Sequence, residues 1–255
     1  MLQRVRVKLT SDEDVIMSYK YNYPLMCEIY KKISLTDKSF SELYHKVGVK
    51  SDLVKRNFKL LNCTFNFKRD IIKDHEGIHI KKGQAFELVI SGKKDIVVMI
   101  LSGFFFDEKI NINGQIFRRK DIITEEPIKF QDISVFEIKT PLVESISNVD
   151  PNTKRRYDYL DINDKRFVEA LIQNIKRKYE VIYNKPCDEF FSIGINKRYN
   201  YKRKTITVKD GEIFGHLNVD IMIQGDKKIQ EIGYYCGFGS HNLLGAGFSL
   251  YKGGF

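Results

Sequence analysis

Tryptophan is absent from this chain, proline occurs five times and cysteine four times in 255 residues. Cys27, Cys63, Cys187 and Cys236 are scattered, with no CxxC pair among them. That spacing argues against a disulfide framework or zinc ribbon and points to a reducing, cytoplasmic setting. No apolar run approaches the ~20 residues that cross a bilayer, so no membrane partner is expected. The first residues alternate like a strand rather than forming a signal peptide. Low-complexity segments and sequence repeats are lacking too.

Acidic residues are the minority charge: 33 Asp+Glu stand against 43 Lys+Arg, a formal net charge of +10. Such an excess attracts phosphate backbones. Apolar residues make up 42% of the chain, enough to bury the core of one large domain or two small ones.

Residues 2–9 alternate basic and apolar, with Arg4, Arg6 and Lys8 on one face and Val5, Val7 and Leu9 on the other, as in a half-buried strand. Helical spacing follows over 23–33, and a short helix runs from Asp37 or Ser39 to Lys46, stopping near Gly48. Residues 58–67 and 86–90 read as strands, 95–105 as a buried helix, and 110–117 as strand turning at Asn113-Gly114. The second half repeats the rhythm: strand 133–139, helix 163–182, strands 189–195, 203–208 and 213–223, helix 226–235, and a closing strand from 246. Both halves approximate βαββαβ, which predicts an α+β protein of tandem ferredoxin-like (RRM-like) domains spanning 1–125 and 126–255. Residues 141–162, with Pro141, Pro151 and the run Lys154-Arg155-Arg156, read as the linker.

Two features point to nucleic acid. Gly237-Phe238-Gly239 is followed, after Ser240-His241-Asn242-Leu243-Leu244, by Gly245-Ala246-Gly247. Each half sets two glycines around an apolar anchor, and bare backbone with free N–H groups suits close approach to phosphate. A Rossmann reading fails, because the loop follows a helix and too little chain remains for a βα unit. The second feature is a basic stretch in which Lys197, Arg198, Lys202, Arg203 and Lys204 interleave with Tyr199 and Tyr201. Cations can neutralise phosphates there while tyrosine faces stack unpaired bases. The bland alternative is a solvated, lysine-rich hairpin.

Among the histidines, His45 lies near the end of the second helix, where an imidazole that titrates near neutrality could serve acid–base chemistry. By itself it reads more readily as a surface or capping residue than as a catalyst. His75-Glu76-Gly77-Ile78-His79 matches the HExxH zinc pattern by letters, but Gly77 and the strand-like residues after it read as a charged β-turn, so no metal site is expected. His216 alternates within a strand and reads as structural.

The doubled glycine pattern, with Thr140-Pro141-Leu142 closing the strand that opens the second half, resembles the CRISPR-associated endoribonucleases that cut repeat transcripts into guide RNAs, the Cas-six type of RAMP protein. The resemblance implies tandem ferredoxin-like domains and metal-independent cleavage without a cofactor. The ribose 2′-hydroxyl attacks the adjacent phosphorus, leaving 2′,3′-cyclic phosphate and 5′-hydroxyl ends. It implies His45 as the catalytic histidine, with Tyr30 and Lys50 as accessory residues. It also implies CRISPR repeat RNA as partner, with a multisubunit CRISPR effector complex as a further one, and a monomer or homodimer. Relatives often carry Lys or Arg in the glycine-loop insert. Here Ser240, His241 and Asn242 stand there without a permanent charge, which shifts phosphate binding to backbone N–H groups at Gly237, Gly239, Gly245 and Gly247 and to the basic hairpin. The alternative readings are a non-catalytic RAMP subunit that binds guide RNA and an unrelated protein with duplicated RRM-like domains.

Overall fold

A computed structural model describes residues 1–148, 156–209 and 211–255. The N-terminal half runs β1 (Leu2–Thr10), β2 (Val15–Met17), α1 (Asn22–Thr36), α2 (Lys38–Val47), β3 (Val49–Ser51), β4 (Val54–Phe58), β5 (Leu61–Asn66), β6 (Ile72–Lys73), β7 (Ile78–Ile80), β8 (Phe86–Lys93), α3 (Lys94–Phe106), β9 (Lys109–Ile112) and β10 (Gln115–Thr124). The C-terminal half runs β11 (Ile133–Ile138), β12 (Ser145–Asn148), β13 (Arg156–Tyr159), α4 (Arg166–Tyr183), β14 (Phe191–Val208), β15 (Gly211–Gly225), α5 (Lys227–Cys236) and β16 (Ser249–Gly254).

The main sheets have orders β5-β8-β1-β10-β9 and β14-β15-β11-β16, with antiparallel neighbours throughout. With the four principal strands of each half numbered in chain order, both read 2-3-1-4, the ferredoxin-like arrangement. Asn113 and Gly114, both at positive φ, join β9 to β10 in the two-residue turn that such a pair favours.

Period-two alternation decides what each face of the first sheet buries. Val5, Val7 and Leu9 point into a core shared with Leu25, Ile29 and Ile33 of α1 and with Ile96, Ile100 and Phe104 of α3. Gly103 lets α3 cross α1 closely, since a Cβ there would strike the Lys32 backbone. On the opposite face the C-terminal half covers Arg4, whereas Arg6 is half-exposed and Lys8 exposed. Arg4, expected on a solvated face, is 1% exposed; its guanidinium donates to the Ser249 and Tyr234 carbonyls and lies 3.6 Å from the Tyr234 ring centroid.

The described residues of the expected linker are instead part of the C-terminal fold. Leu142 exchanges two backbone hydrogen bonds of 2.9 Å with His216, and β12 and β13 form a hairpin. Pro151 and Lys154-Arg155 lie outside the described residues. The two main sheets are joined by residues 125–132. A second correction concerns the basic stretch: the separate strands expected at 189–195 and 203–208 are one 18-residue strand, β14, with a register break between Lys197 and Lys202. No helix among the described residues is long and apolar enough to cross a membrane.

Candidate active site and nucleic-acid interface

Helix α2 presents His45 in its last turn. Asp37 caps the helix by accepting a 2.9 Å hydrogen bond from the Phe40 N–H, and Gly48, at φ 73°, ends it. Ser41 Oγ ties α2 to α1 by donating to the Tyr30 carbonyl at 3.0 Å. The His45 and Tyr30 rings consequently meet edge to face, centroids 4.7 Å apart. The Tyr30 hydroxyl makes no hydrogen bond among the described residues, and burial, followed by Cys63 and Cys27, raises its pKa far above the usual phenol value.

Lys59 completes this corner. Its ammonium donates to the carbonyls of Tyr44 and, at 2.6 Å, His45, and stands 5.9 Å from the Tyr30 ring centroid. A cation there offsets the negative end of the helix. Burial pushes its pKa down to about 8. Lys50 is an exposed residue of β3, with no ion pair among the described residues.

Facing this corner is the glycine loop, and its physics differs from the expectation. The segment from Gly237 to Ser240 is buried, as are Gly245, Ala246 and Gly247. Phe238 donates its N–H to Gly247, Ser240 to Val143, Gly245 to Asn242 and Gly247 to Pro141. The amides of Gly245 and Gly247 are taken, so these two glycines do not offer theirs to phosphate. The four glycines serve close packing: all adopt positive φ, and a Cβ at Gly237 would come 2.5 Å from Asn62 Nδ2 and 2.6 Å from Asn242 Nδ2.

The loop is held by side chains that sequence reasoning missed. Buried Lys178 of α4 donates to the carbonyl oxygens of Gly237 (2.6 Å) and Gly239 (3.0 Å) and to Asn242 Oδ1 (2.8 Å). It supplies the positive charge that the insert itself lacks. From the first sheet, Asn62 donates to Ala246 O at 2.7 Å and Asn22 of α1 to Leu244 O at 2.8 Å. Within the insert, Ser240 Oγ donates to Glu144, and Asn242 Nδ2 donates to the Phe238 and Ala246 carbonyls. His241 and Leu244 are half-exposed.

Between corner and loop lies a cavity of about 210 Å³, lined by Tyr30 and Lys59 on one side and by Lys178, Gly239, His241 and Leu244 on the other. Met26, His241 and Leu244 continue into a second recess of about 460 Å³, bordered by Tyr23, Tyr159 and Lys209.

The residues of the basic hairpin divide. Arg198 is committed to Glu137 (2.7 Å) and Asp220 (3.6 Å), Arg203 pairs with Asp161 at 3.5 Å, and Lys197 donates to Asn163. Tyr199 is fully exposed, whereas the Tyr201 hydroxyl bonds His216 Nδ1 at 2.8 Å. Lys202 and Lys204 turn the other way. They line a groove of about 720 Å³ between the two halves, together with Lys68, Arg69, Lys73 and Lys139 and the rings of Tyr19 and Phe67. None of its walls is acidic. Cations interleaved with aromatic faces suit single-stranded nucleic acid.

The remaining histidines sit apart. His79 is on β7 and pairs with Asp74 at 2.9 Å across a turn, so the HExxH letters do not form a helical zinc pair; Asp74, Glu76 and His79 place ligand atoms within 4.8 Å of one another. His216 is buried, and burial lowers its pKa.

Two ferredoxin-like sheets, with a glycine-paired loop of the second seated on the first, define the tandem ferredoxin-like class of fold. Residues 124–249 match the family model described as CRISPR associated protein Cas6, C-terminal. The CRISPR-associated endoribonuclease Cas6 1 of Methanocaldococcus jannaschii is 27% identical over 248 residues, covering 96% of this chain and 91% of that protein. Among solved structures, a Cas6-related protein from Pyrococcus furiosus superposes with a TM-score of 0.82 at 21% identity, covering 98% of each chain. A RAMP protein described as binding different RNA substrates superposes with a TM-score of 0.80 at 23% identity, covering 98% of this chain and 99% of that one. Residues 124–249 thus carry the Cas6 C-terminal domain, and the chain as a whole resembles Cas6 proteins in sequence and fold.

Proposed function

We propose that this protein is an endoribonuclease that cuts CRISPR repeat transcripts at one phosphodiester, without a metal ion. The observation that carries the reading is the meeting of Tyr30, beside His45, with the glycine-loop insert across one small cavity. The curated relative is named an endoribonuclease, which supports the same reaction class here.

In this reading the ribose 2′-oxygen attacks phosphorus, the new O2′–P bond forms, and the P–O5′ bond breaks. His45 acts as general base or acid: it takes the 2′-hydroxyl proton or returns one to the departing 5′-oxygen. Tyr30, whose raised pKa keeps its hydroxyl protonated at neutrality, orients the 2′-oxygen as a hydrogen-bond donor. Lys50 balances the charge of the phosphorane, and Lys59 holds the end of α2, keeping His45 in place. The groove lined by Lys202 and Lys204 binds unpaired RNA away from the cut.

The test is a panel of repeat RNAs incubated in excess EDTA, with the product ends identified. The expected ends are 2′,3′-cyclic phosphate and 5′-hydroxyl, and RNA with deoxyribose before the cut should bind but stay intact. His45→Ala should lower the cleavage rate ~10²–10⁴-fold with affinity unchanged. Tight binding without cleavage by the wild-type protein would make it an RNA-binding RAMP subunit instead.

A further inference from the structure

Beyond the candidate active-site cavity the surface opens into a larger groove of about 820 Å³, which no step above uses. It runs between α4, the β12–β13 hairpin and β4. Asn57 and Asn174 line both spaces, so the groove and the cavity are adjoining parts of one surface.

Its walls are built for a polar, anionic occupant. Lys55 and Arg177 are exposed and make no ion pair among the described residues, while Arg166 is paired with Asp164 at 2.6 Å. The acidic groups facing the groove already have partners: Glu144 accepts from Ser240, and Glu169 accepts from Gln173 at 2.8 Å. Two buried atoms point to a ligand. Asn174, 2% exposed, has an Oδ1 without a hydrogen-bond partner among the described residues, and so does the Oγ of Ser145, 6% exposed. Leaving such atoms unpaired is costly, and a base edge or ribose hydroxyl would satisfy them. Tyr157, 46% exposed, adds a ring face of the kind on which bases stack.

We propose that this groove binds the unpaired nucleotides on one side of the cleaved linkage, opposite to those held by the Lys202–Lys204 groove. The inference rests on the proposed nuclease reading for the position of the cut. A strand threaded through the 210 Å³ cavity must leave it in both directions. One exit, through the Met26, His241 and Leu244 recess, leads past Tyr23 and Lys209; the other, past Asn57 and Asn174, leads here. Lys55 and Arg177 would meet phosphates while Asn174, Gln173 and Ser145 read base edges.

The experiment uses the full chain and two variants, Lys55→Ala/Arg177→Ala and Tyr157→Ala, with repeat RNA shortened stepwise from either end. Affinity is measured over a salt series, and cleavage under single-turnover conditions. For uncut-length RNA the double variant should bind about tenfold more weakly, with a salt slope shallower by about 0.7 for each phosphate no longer neutralised. Shortening the RNA from one end should erase that difference, whereas shortening from the other should preserve it. Unchanged affinity in both variants, or a penalty indifferent to truncation at either end, would overturn the groove. Failure of the nuclease reading shows separately, as wild-type protein that binds the RNA and leaves it whole.

Discussion

Replacing Gly247 by alanine isolates what the glycine pairs are for. Gly247 holds φ at 67°, and a Cβ there would stand far inside 3.0 Å of the Phe238 carbonyl oxygen, a backbone atom that accepts a hydrogen bond from Asn242 Nδ2. Left-handed geometry costs an L-residue roughly 1–2 kcal/mol, and forcing an extra carbon into a filled space adds about 1–3 kcal/mol. Gly83 is the matched control: its φ is 73°, and nothing lies within 4 Å of the site of its Cβ. Gly83→Ala therefore carries only the conformational cost. With about 2–4 °C lost per kcal/mol in a chain of this size, Gly247→Ala should melt several degrees below Gly83→Ala, and both below the wild type. Thermal unfolding followed by circular dichroism reads the difference. Equal melting temperatures for the two variants would refute the packing argument and restore an exposed, phosphate-cradling role for the loop.

Three further outcomes follow from the site. Lys178→Met leaves the Gly237 and Gly239 carbonyls and Asn242 Oδ1 without their donor; it should cost on the order of 3 kcal/mol in thermal unfolding and abolish cleavage, and a wild-type melting curve would contradict it. Lys59, with a folded pKa of about 8 against 10.5 unfolded, loses its charge above about pH 8. RNA affinity should therefore fall between pH 7 and 9 in the wild type and less so in Lys59→Arg. Over the interval from about 8 to 10.5 the unfolded chain holds the proton that the folded one has released, so the Lys59 share of stability rises with pH; a Lys59→Met protein with the wild-type pH dependence would exclude this. Lys202→Ala and Lys204→Ala should each reduce the salt slope of RNA binding by about 0.7, whereas Arg198→Ala, whose cation is already paired with Glu137, should change it little.

The alternation of β1 and the helical spacing of α1 and α4 carried the ferredoxin-like order, because those elements each have one strongly apolar face. The same logic misplaced Arg4. Its basic–apolar alternation looks half-solvated, as it is at Arg6 and Lys8, yet Arg4 is covered by chain from 230 residues or more away. Short hairpins such as β3–β4 and β12–β13 have too few residues to show a period. At the site, Tyr30 and His45 were named through family resemblance, and the structure sets their rings edge to face. Lys59 was overlooked because it is brought to α2 by tertiary packing. Lys178 had a readable signal: with Asn174 it forms a polar i,i+4 pair beside the apolar stripe Phe167, Leu171, Ile175 and Tyr179, on a part of α4 that is buried.

The tie between Arg4 and Ser249, 245 residues apart, has a consequence for how the molecule comes into being. Domains made first on the ribosome fold first. When the opening lobe emerges, its arginine and the amide of Asn62 face positions whose acceptors, Tyr234, Ser249 and Ala246, have yet to be synthesised. The lobe therefore waits with a polar scar on its surface, and translation of the later stretch both heals it and walls off the cavity beside Tyr30. A nascent chain halted before that stretch carries Tyr30 and Lys59 without the opposite wall of their cavity.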